Sequence, residues 1–106
     1  MARYLVQGSY TAEGLRGLLK DGGTARRKAV EQLVASLGGI VEAMYFAFGE
    51  DDFVILVEGT DNITPAAGNM LVAASGAAKV RTTVLLTAEE IDLAAKKGGA
   101  YRPPGM

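Results

Sequence analysis

The stretch that decides the fold is residues 40–58, IVEAMYFAF-GEDD-FVILVE, in which two apolar runs flank the polar link Gly49-Glu50-Asp51-Asp52. The flanking runs are rich in β-branched and aromatic residues, which favour strands. Two such runs around a short link that contains glycine are typical of a β-hairpin. We therefore predict one strand over residues 40–48 and the next over residues 53–58.

Both faces of this hairpin are apolar. Strict alternation places Ile40, Met44, Phe46 and Phe48 on one side of its first strand, interrupted by Glu42. The opposite side is apolar as well, as is each side of the second strand. An antiparallel sheet with one face in water would instead alternate apolar and polar residues. Helices of so short a chain can cover only one face, so we expect a partner to cover the other.

The elements around the hairpin complete a strand–helix–strand–strand–helix–strand order. The outer strands are predicted over residues 3–9 and 79–86. Two helices are predicted before the hairpin, a short one capped by Thr11 and a stronger one that begins at Thr24. A third begins at Thr64-Pro65, and we expect Ala67, Met70, Leu71 and Ala74 to face inward. The last begins at Thr87-Ala88-Glu89-Glu90, which matches a capping box. This order indicates an α+β, ferredoxin-like βαββαβ domain with a four-stranded antiparallel sheet and a short C-terminal helix. We assign residues 1–97 to this domain and residues 98–106 to a flexible tail.

Composition excludes several classes of function. The 106 residues include no cysteine and no histidine, which rules out thiolate metal sites, cysteine nucleophiles and histidine bases. A net charge of −1 disfavours a general nucleic-acid binder. No apolar run approaches the ~20 residues of a membrane helix, and the amino terminus does not resemble a signal peptide. We predict a cytoplasmic protein with no cofactor, no bound metal, and no nucleic-acid or membrane partner.

The acids of the hairpin link are the first candidate site. Glu50, Asp51 and Asp52 are adjacent, and neighbouring carboxylates raise one another's pKa, which suits a general acid or base. Oxygen-only clusters also hold hard cations such as Mg²⁺. The structural alternative is a solvated turn in which an aspartate binds backbone amides.

Basic and aromatic side chains supply the other candidates. Arg81 in the last strand is expected to clamp a carboxylate ligand or to pair with Glu58 or Glu42 across the sheet. Arg26 is a candidate for orienting an anion. Three tyrosines, Tyr4, Tyr10 and Tyr45, are candidates to line a cleft between sheet and helices, although strand aromatics commonly belong to the core.

Several short motifs resemble the GYD family, small domains with the dimeric α/β-barrel version of the ferredoxin-like fold. The matching motifs are Tyr10-Thr11 with Gly14, Arg26, Leu37-Gly38-Gly39, Phe48-Gly49-Glu50-Asp51-Asp52-Phe53-Val54, Gly76, and Val80-Arg81-Thr82-Thr83-Val84-Leu85. Together they extend from about Tyr4 to Glu90. The family is named for glycine-tyrosine-aspartate at the hairpin. Here Asp51 replaces the tyrosine, and Asp52 is retained.

The resemblance implies a homodimer or higher homo-oligomer, which agrees with the apolar second face, but it implies no particular activity. Our first hypothesis is a homo-oligomeric domain without catalysis that binds a small ligand or serves a structural or stress-related role. The second is a cofactor-free oxygenase or isomerase acting on a small organic molecule in the cleft between sheet and helices. In that enzyme Asp51, Asp52 or a tyrosine would be the base, with Arg26 or Arg81 holding an anion.

Overall fold

A computed structural model describes residues 2–106 of the chain. Seven elements follow one another along it. They are β1 (Ala2–Tyr10), α1 (Ala12–Ser36), β2 (Ile40–Phe46), β3 (Phe53–Gly59), α2 (Ile63–Ser75), β4 (Ala78–Leu85) and α3 (Ala88–Lys97).

The four strands form one antiparallel sheet in the order β2-β3-β1-β4. Since β1 lies between β3 and β4 and pairs with both, although β4 is at the opposite end of the chain, the two strand–helix–strand halves interlock as in the ferredoxin-like fold. Helices α1 and α2 pack on one face of the sheet, against Met44, Phe53, Ile55 and Val57. The predicted fold class is confirmed.

A β-bulge changes the faces of β2. The register shifts between Val41 and Ala43, so Val41 pairs with Val57 while Ile40 pairs with Glu58. The extra residue turns Val41 toward the helices and Ile40 to the other face, which corrects the prediction from strict alternation. The interruption by Glu42 was the signal in the sequence, since a carboxylate at an inward position conflicts with unbroken alternation.

Two helical segments precede the hairpin, as predicted, and they meet at a kink within α1. Helix α1 is capped by Thr11, whose side chain accepts a hydrogen bond from the Gly14 amide. The predicted break falls at Gly22, where φ is 81° and ψ is 168°, values outside the helical region. A positive φ is cheap only for glycine, so the first segment ends there and the chain changes direction before the second.

Helix α2 begins earlier than predicted and presents a different face. Asp61 Oδ1 accepts hydrogen bonds from the amides of Ile63 and Thr64, at 3.0 and 3.2 Å, so the helix begins at Ile63 rather than after Thr64. Met70 and Leu71, predicted to face inward, are exposed. Apolar residues surround this alanine-rich helix, so periodicity alone does not define its buried side.

The C-terminal helix α3 lies apart from the sheet. Its predicted capping box is present: Thr87 Oγ1 accepts from the Glu90 amide at 3.1 Å, and Glu90 Oε1 accepts from the Thr87 amide at 3.0 Å. Ile91 and Leu93 are exposed, and residues 98–106 contain no helix or strand. None of the helices within residues 2–106 has the length and apolar character needed to cross a membrane.

The sheet face opposite α1 and α2 is called the open face. Its centre is apolar, with Leu5, Val54 and Leu56 half-buried. An ion pair lies toward each end of the strands, Arg3–Glu42 at 2.9 Å and Arg81–Asp51 at 2.7 Å. The open face therefore has an apolar middle between two charged borders.

Candidate functional site

A cleft lies between the sheet and helices α1 and α2. Its volume is about 150 Å³. Its lining is mainly valine, leucine and isoleucine, including Val6 and Ile55 from the sheet, Val30 and Val34 from α1, and Val72 from α2. Helix-to-sheet packing leaves this space because α2 presents only small or short side chains here, among them Gly68. An apolar cavity with few polar groups is typical of a small-molecule site.

Polar side chains interrupt the apolar lining of the cleft. Arg26 of α1 and Tyr10 at the end of β1 both line it. Burial raises the pKa of Tyr10, the Arg26 cation opposes that rise, and the Asp52 carboxylate adds to it. With its pKa raised, the phenol stays protonated at neutral pH and acts as a hydrogen-bond donor rather than a base.

Tyr10 also borders a second, wider groove of about 740 Å³ next to the hairpin link. Leu15 and Leu18 of α1, Phe46 of β2 and Asp52 form part of its walls. The Tyr10 ring packs on Phe53, with centroids 5.1 Å apart and a tilt of 49°. Tyr10 therefore lines both the wide groove and the cleft, and Phe53 lines the cleft beside it.

The two aspartates of the link are directed to different partners. Asp52 Oδ2 accepts from the Tyr10 amide at 2.8 Å, and the Asp52 amide donates to the Gly8 carbonyl at 2.8 Å. Asp51 Oδ2 accepts from Arg81 Nη2 at 2.7 Å and from Gln7 Nε2 at 3.3 Å. These contacts attach the link to β1 and β4. Over residues 2–106, no group of three or more carboxylates gathers into a possible metal site.

A family model of the GYD domain matches residues 4–95, nearly the whole chain. The chain belongs to the GYD domain family. No curated protein and no solved structure is detectably similar to it. Membership agrees with the observed fold and leaves the ligand and the role to be argued from the cleft and the open face.

In this GYD domain the hairpin carries an aspartate at the position of the naming tyrosine. Asp51 there lies on the open-face side and pairs with Arg81 rather than entering the cleft. The pair accounts for the aspartate, because a tyrosine would offer Arg81 no carboxylate. The predicted partners of Arg81, Glu58 and Glu42, are wrong: the register brings Arg81 opposite Gln7, far along β1 from Arg3 and Glu42.

The tyrosine candidates are separated by the fold. Tyr4 is fully buried, and its hydroxyl donates to Asn62 Oδ1 at 2.8 Å, so it is a core residue. Tyr45 pairs with Val54 on the open face and is 71% exposed, which corrects its predicted place in the cleft. Of the three predicted tyrosines, Tyr10 lines the cleft.

Sequence reasoning missed the contribution of α2. Asn69 lines the cleft and donates through Nδ2 to Thr82 Oγ1 on β4 at 2.7 Å, which orients the helix on the sheet. Thr64 is buried beside the cleft and donates to the Leu37 carbonyl at 3.3 Å. The spacing of Thr64, Gly68, Asn69 and Val72 is helical, but only Val72 is a large apolar residue, so the apolar pattern did not mark this side of the helix.

Proposed function

We propose that this GYD domain is a homo-oligomeric binding domain that takes a small, mainly apolar molecule in the cleft between sheet and helices. The apolar cavity of about 150 Å³ between sheet and helices carries the proposal. Protein interiors are close-packed, and cavities larger than a water molecule are few. A dry apolar cavity of about this size in an engineered protein binds benzene. The cleft therefore has room for a body about the size of one aromatic ring.

The hydrogen bonds of the candidate acids favour binding over catalysis. Asp52 is held by the Tyr10 amide, and Asp51 is held by Arg81 and Gln7. A general base must reach the proton it removes, and both carboxylates already accept hydrogen bonds that join the link to the sheet. Their roles as turn and strand connectors explain why acids occupy these positions.

A toluene titration tests the cleft. We expect toluene to raise the melting temperature of the protein and to shift the amide resonances of Val6 and Val80. Val72→Phe fills the cavity and should abolish both effects. Leu71→Phe, at the neighbouring exposed position of α2, is the matched control and should retain them. A folded wild-type protein that gives neither response to toluene would overturn the binding proposal.

The homo-oligomer is supported by the open face. Its half-buried residues Leu5, Val54 and Leu56 form an apolar centre on the face opposite α1 and α2, and within residues 2–106 helix α3 does not pack on it to any extent. Charged pairs border that centre, an arrangement that resembles the apolar core and polar rim of a protein interface. A second copy placed by two-fold symmetry would bring identical apolar patches together.

Light scattering tests the assembly. We expect the wild-type protein at micromolar concentration to have at least twice the mass of one chain. Leu56→Arg introduces a charge at the centre of the open face and should give a folded monomer. Leu71→Arg places the same charge on the exposed surface of α2 and should leave the mass unchanged. A monomeric wild-type protein would disprove the assembly and leave the binding proposal standing.

A further inference from the structure

Arg26 is the only charged side chain that lines the cleft. It is half-buried, and within residues 2–106 it forms neither an ion pair nor a hydrogen bond. Arg3, Arg27 and Arg81 each have a carboxylate partner, whereas Arg26 lines the cleft without one. A charge beside an apolar cavity loses part of its hydration, and that loss is offset when an opposite charge binds it.

A second donor lies near this cation. The Tyr10 hydroxyl makes no hydrogen bond to any other described residue, whereas the amide of Asn69 is already bound to Thr82. The Arg26 cation lies close enough to act on the pKa of Tyr10, which burial raises, and it lowers that pKa. Within a mainly apolar lining, the cleft thus offers a guanidinium and a phenol that make no hydrogen bond to another described residue.

We propose that the ligand of the cleft is a small organic anion, with an apolar body about the size of one ring and a carboxylate bound by Arg26 and Tyr10. This inference rests on the proposed binding function and names its ligand class. Guanidinium and carboxylate match in geometry and form paired, charge-assisted hydrogen bonds. The apolar walls provide the binding of the ring, and Arg26 provides the preference for the charged group.

Benzoate and benzamide form a matched pair of probes, because they share size and shape and differ in charge. We expect the wild-type protein to bind benzoate about tenfold more tightly than benzamide, the size of effect that a charge-assisted hydrogen bond gives. Affinities come from amide chemical-shift titrations at neutral pH and low salt. The shifts should centre on residues of the cleft such as Val6 and Val80.

Variants of two adjacent arginines separate a specific role from a general one. Arg26→Gln should bring the benzoate and benzamide affinities to within about twofold of each other while keeping benzamide binding. Arg26→Lys, which keeps the positive charge, should retain a preference for benzoate. Arg27→Gln removes an arginine that pairs with Glu31 at 3.8 Å outside the cleft and should behave as wild type.

Equal affinities of the wild-type protein for benzoate and benzamide would overturn the anion proposal and leave cleft binding intact. Equal loss of the preference in Arg26→Gln and Arg27→Gln would overturn it too, since a general charge effect would then explain the data. Failure of toluene, benzamide and benzoate alike would instead refute the binding function. Circular dichroism of each variant confirms that its fold is retained before the affinities are compared.

Discussion

Ile55 and Leu56 are neighbours in β3, yet they point to opposite faces of the sheet and have different surroundings. Ile55 is buried beneath the helices and lines the cleft. Leu56 is half-buried on the open face, between Leu5 of β1 and Ala43 of β2. Helices α1 and α2 pack on the first face and leave a cavity there. The second face has an apolar centre and is the one opposite these two helices.

This difference separates two kinds of interaction. The cleft is small and lies between two layers of the same chain, so it suits a molecule about the size of one ring. The open face is wide, apolar at its middle and charged at its borders, so it suits another protein surface. A third region, helix α3, packs on neither face to any extent and depends mainly on its own cap.

Truncation of the two β3 neighbours gives the largest expected effect. Ile55→Ala should lower the free energy of unfolding by about 3 kcal/mol, because it enlarges an existing cavity in the core. Leu56→Ala should cost about 1 kcal/mol in dilute protein, where only partial burial is lost. Urea denaturation followed by circular dichroism measures both. Equal losses in dilute protein would show that the two faces are equally well packed within one chain.

Two glycines of α1 test how closely this helix packs against the rest of the chain. A Cβ at Gly14 would overlap the Ala77 carbonyl at the start of β4, while a Cβ at Gly17 would have nothing within 4 Å. Gly14→Ala should therefore cost about 2 kcal/mol by forcing the helix away from the strand. Gly17→Ala should stabilise the protein by up to about 1 kcal/mol through helix propensity. Thermal unfolding of both variants gives the comparison, and stabilisation by Gly14→Ala would contradict it.

The smallest effect concerns the cap of α3. Hydrogen bonds from the Thr87 backbone and side chain hold the pKa of Glu90 below its ordinary value of 4.5. A lowered pKa in the folded state means that the stabilisation is present above about pH 4.5 and is lost as pH falls through the lower value. We expect the Cα chemical shifts of Ile91 to Ala95 to lose helical character on acidification, while the sheet stays intact.

Glu90→Gln provides the control for this pH effect. Glutamine can still accept the hydrogen bond from the Thr87 amide but does not titrate. The helicity of α3 in this variant should be slightly lower at neutral pH and independent of pH between about 3 and 6. If the variant frays on acidification as the wild-type protein does, another acid controls the cap.

The fold was predictable because its signals are local. The hairpin, the caps at Thr11 and Thr87, and the order of strands and helices all follow from residue type and spacing. The side on which each strand residue lies was harder to predict. One inserted residue in β2 turns Val41, rather than Ile40, toward the helices. Alternation has a period of two, so a single bulge reverses every assignment on one side of it.

The candidate site was only partly predictable. Arg26 was identified as an anion-orienting residue, and the structure brings it to the cleft beside Tyr10. Arg81 and Tyr45 were grouped with it by residue type, but the strand register turns both to the open face. The roles of Asp51 and Asp52 depend on which strand ends lie next to the link, and local sequence carries no such information.

By itself the sequence determined an α+β chain with a hairpin apolar on both sides, because side-chain periodicity and turn chemistry act between near neighbours. Only the tertiary structure decided which side the helices cover, where the cleft forms and which arginine lines it. Those outcomes depend on the register of strands distant in the chain and on the volume left when α2 packs with its small residues inward. Strand pairing between distant segments and the volume of the cleft depend on how the whole chain packs. No single stretch of sequence encodes them.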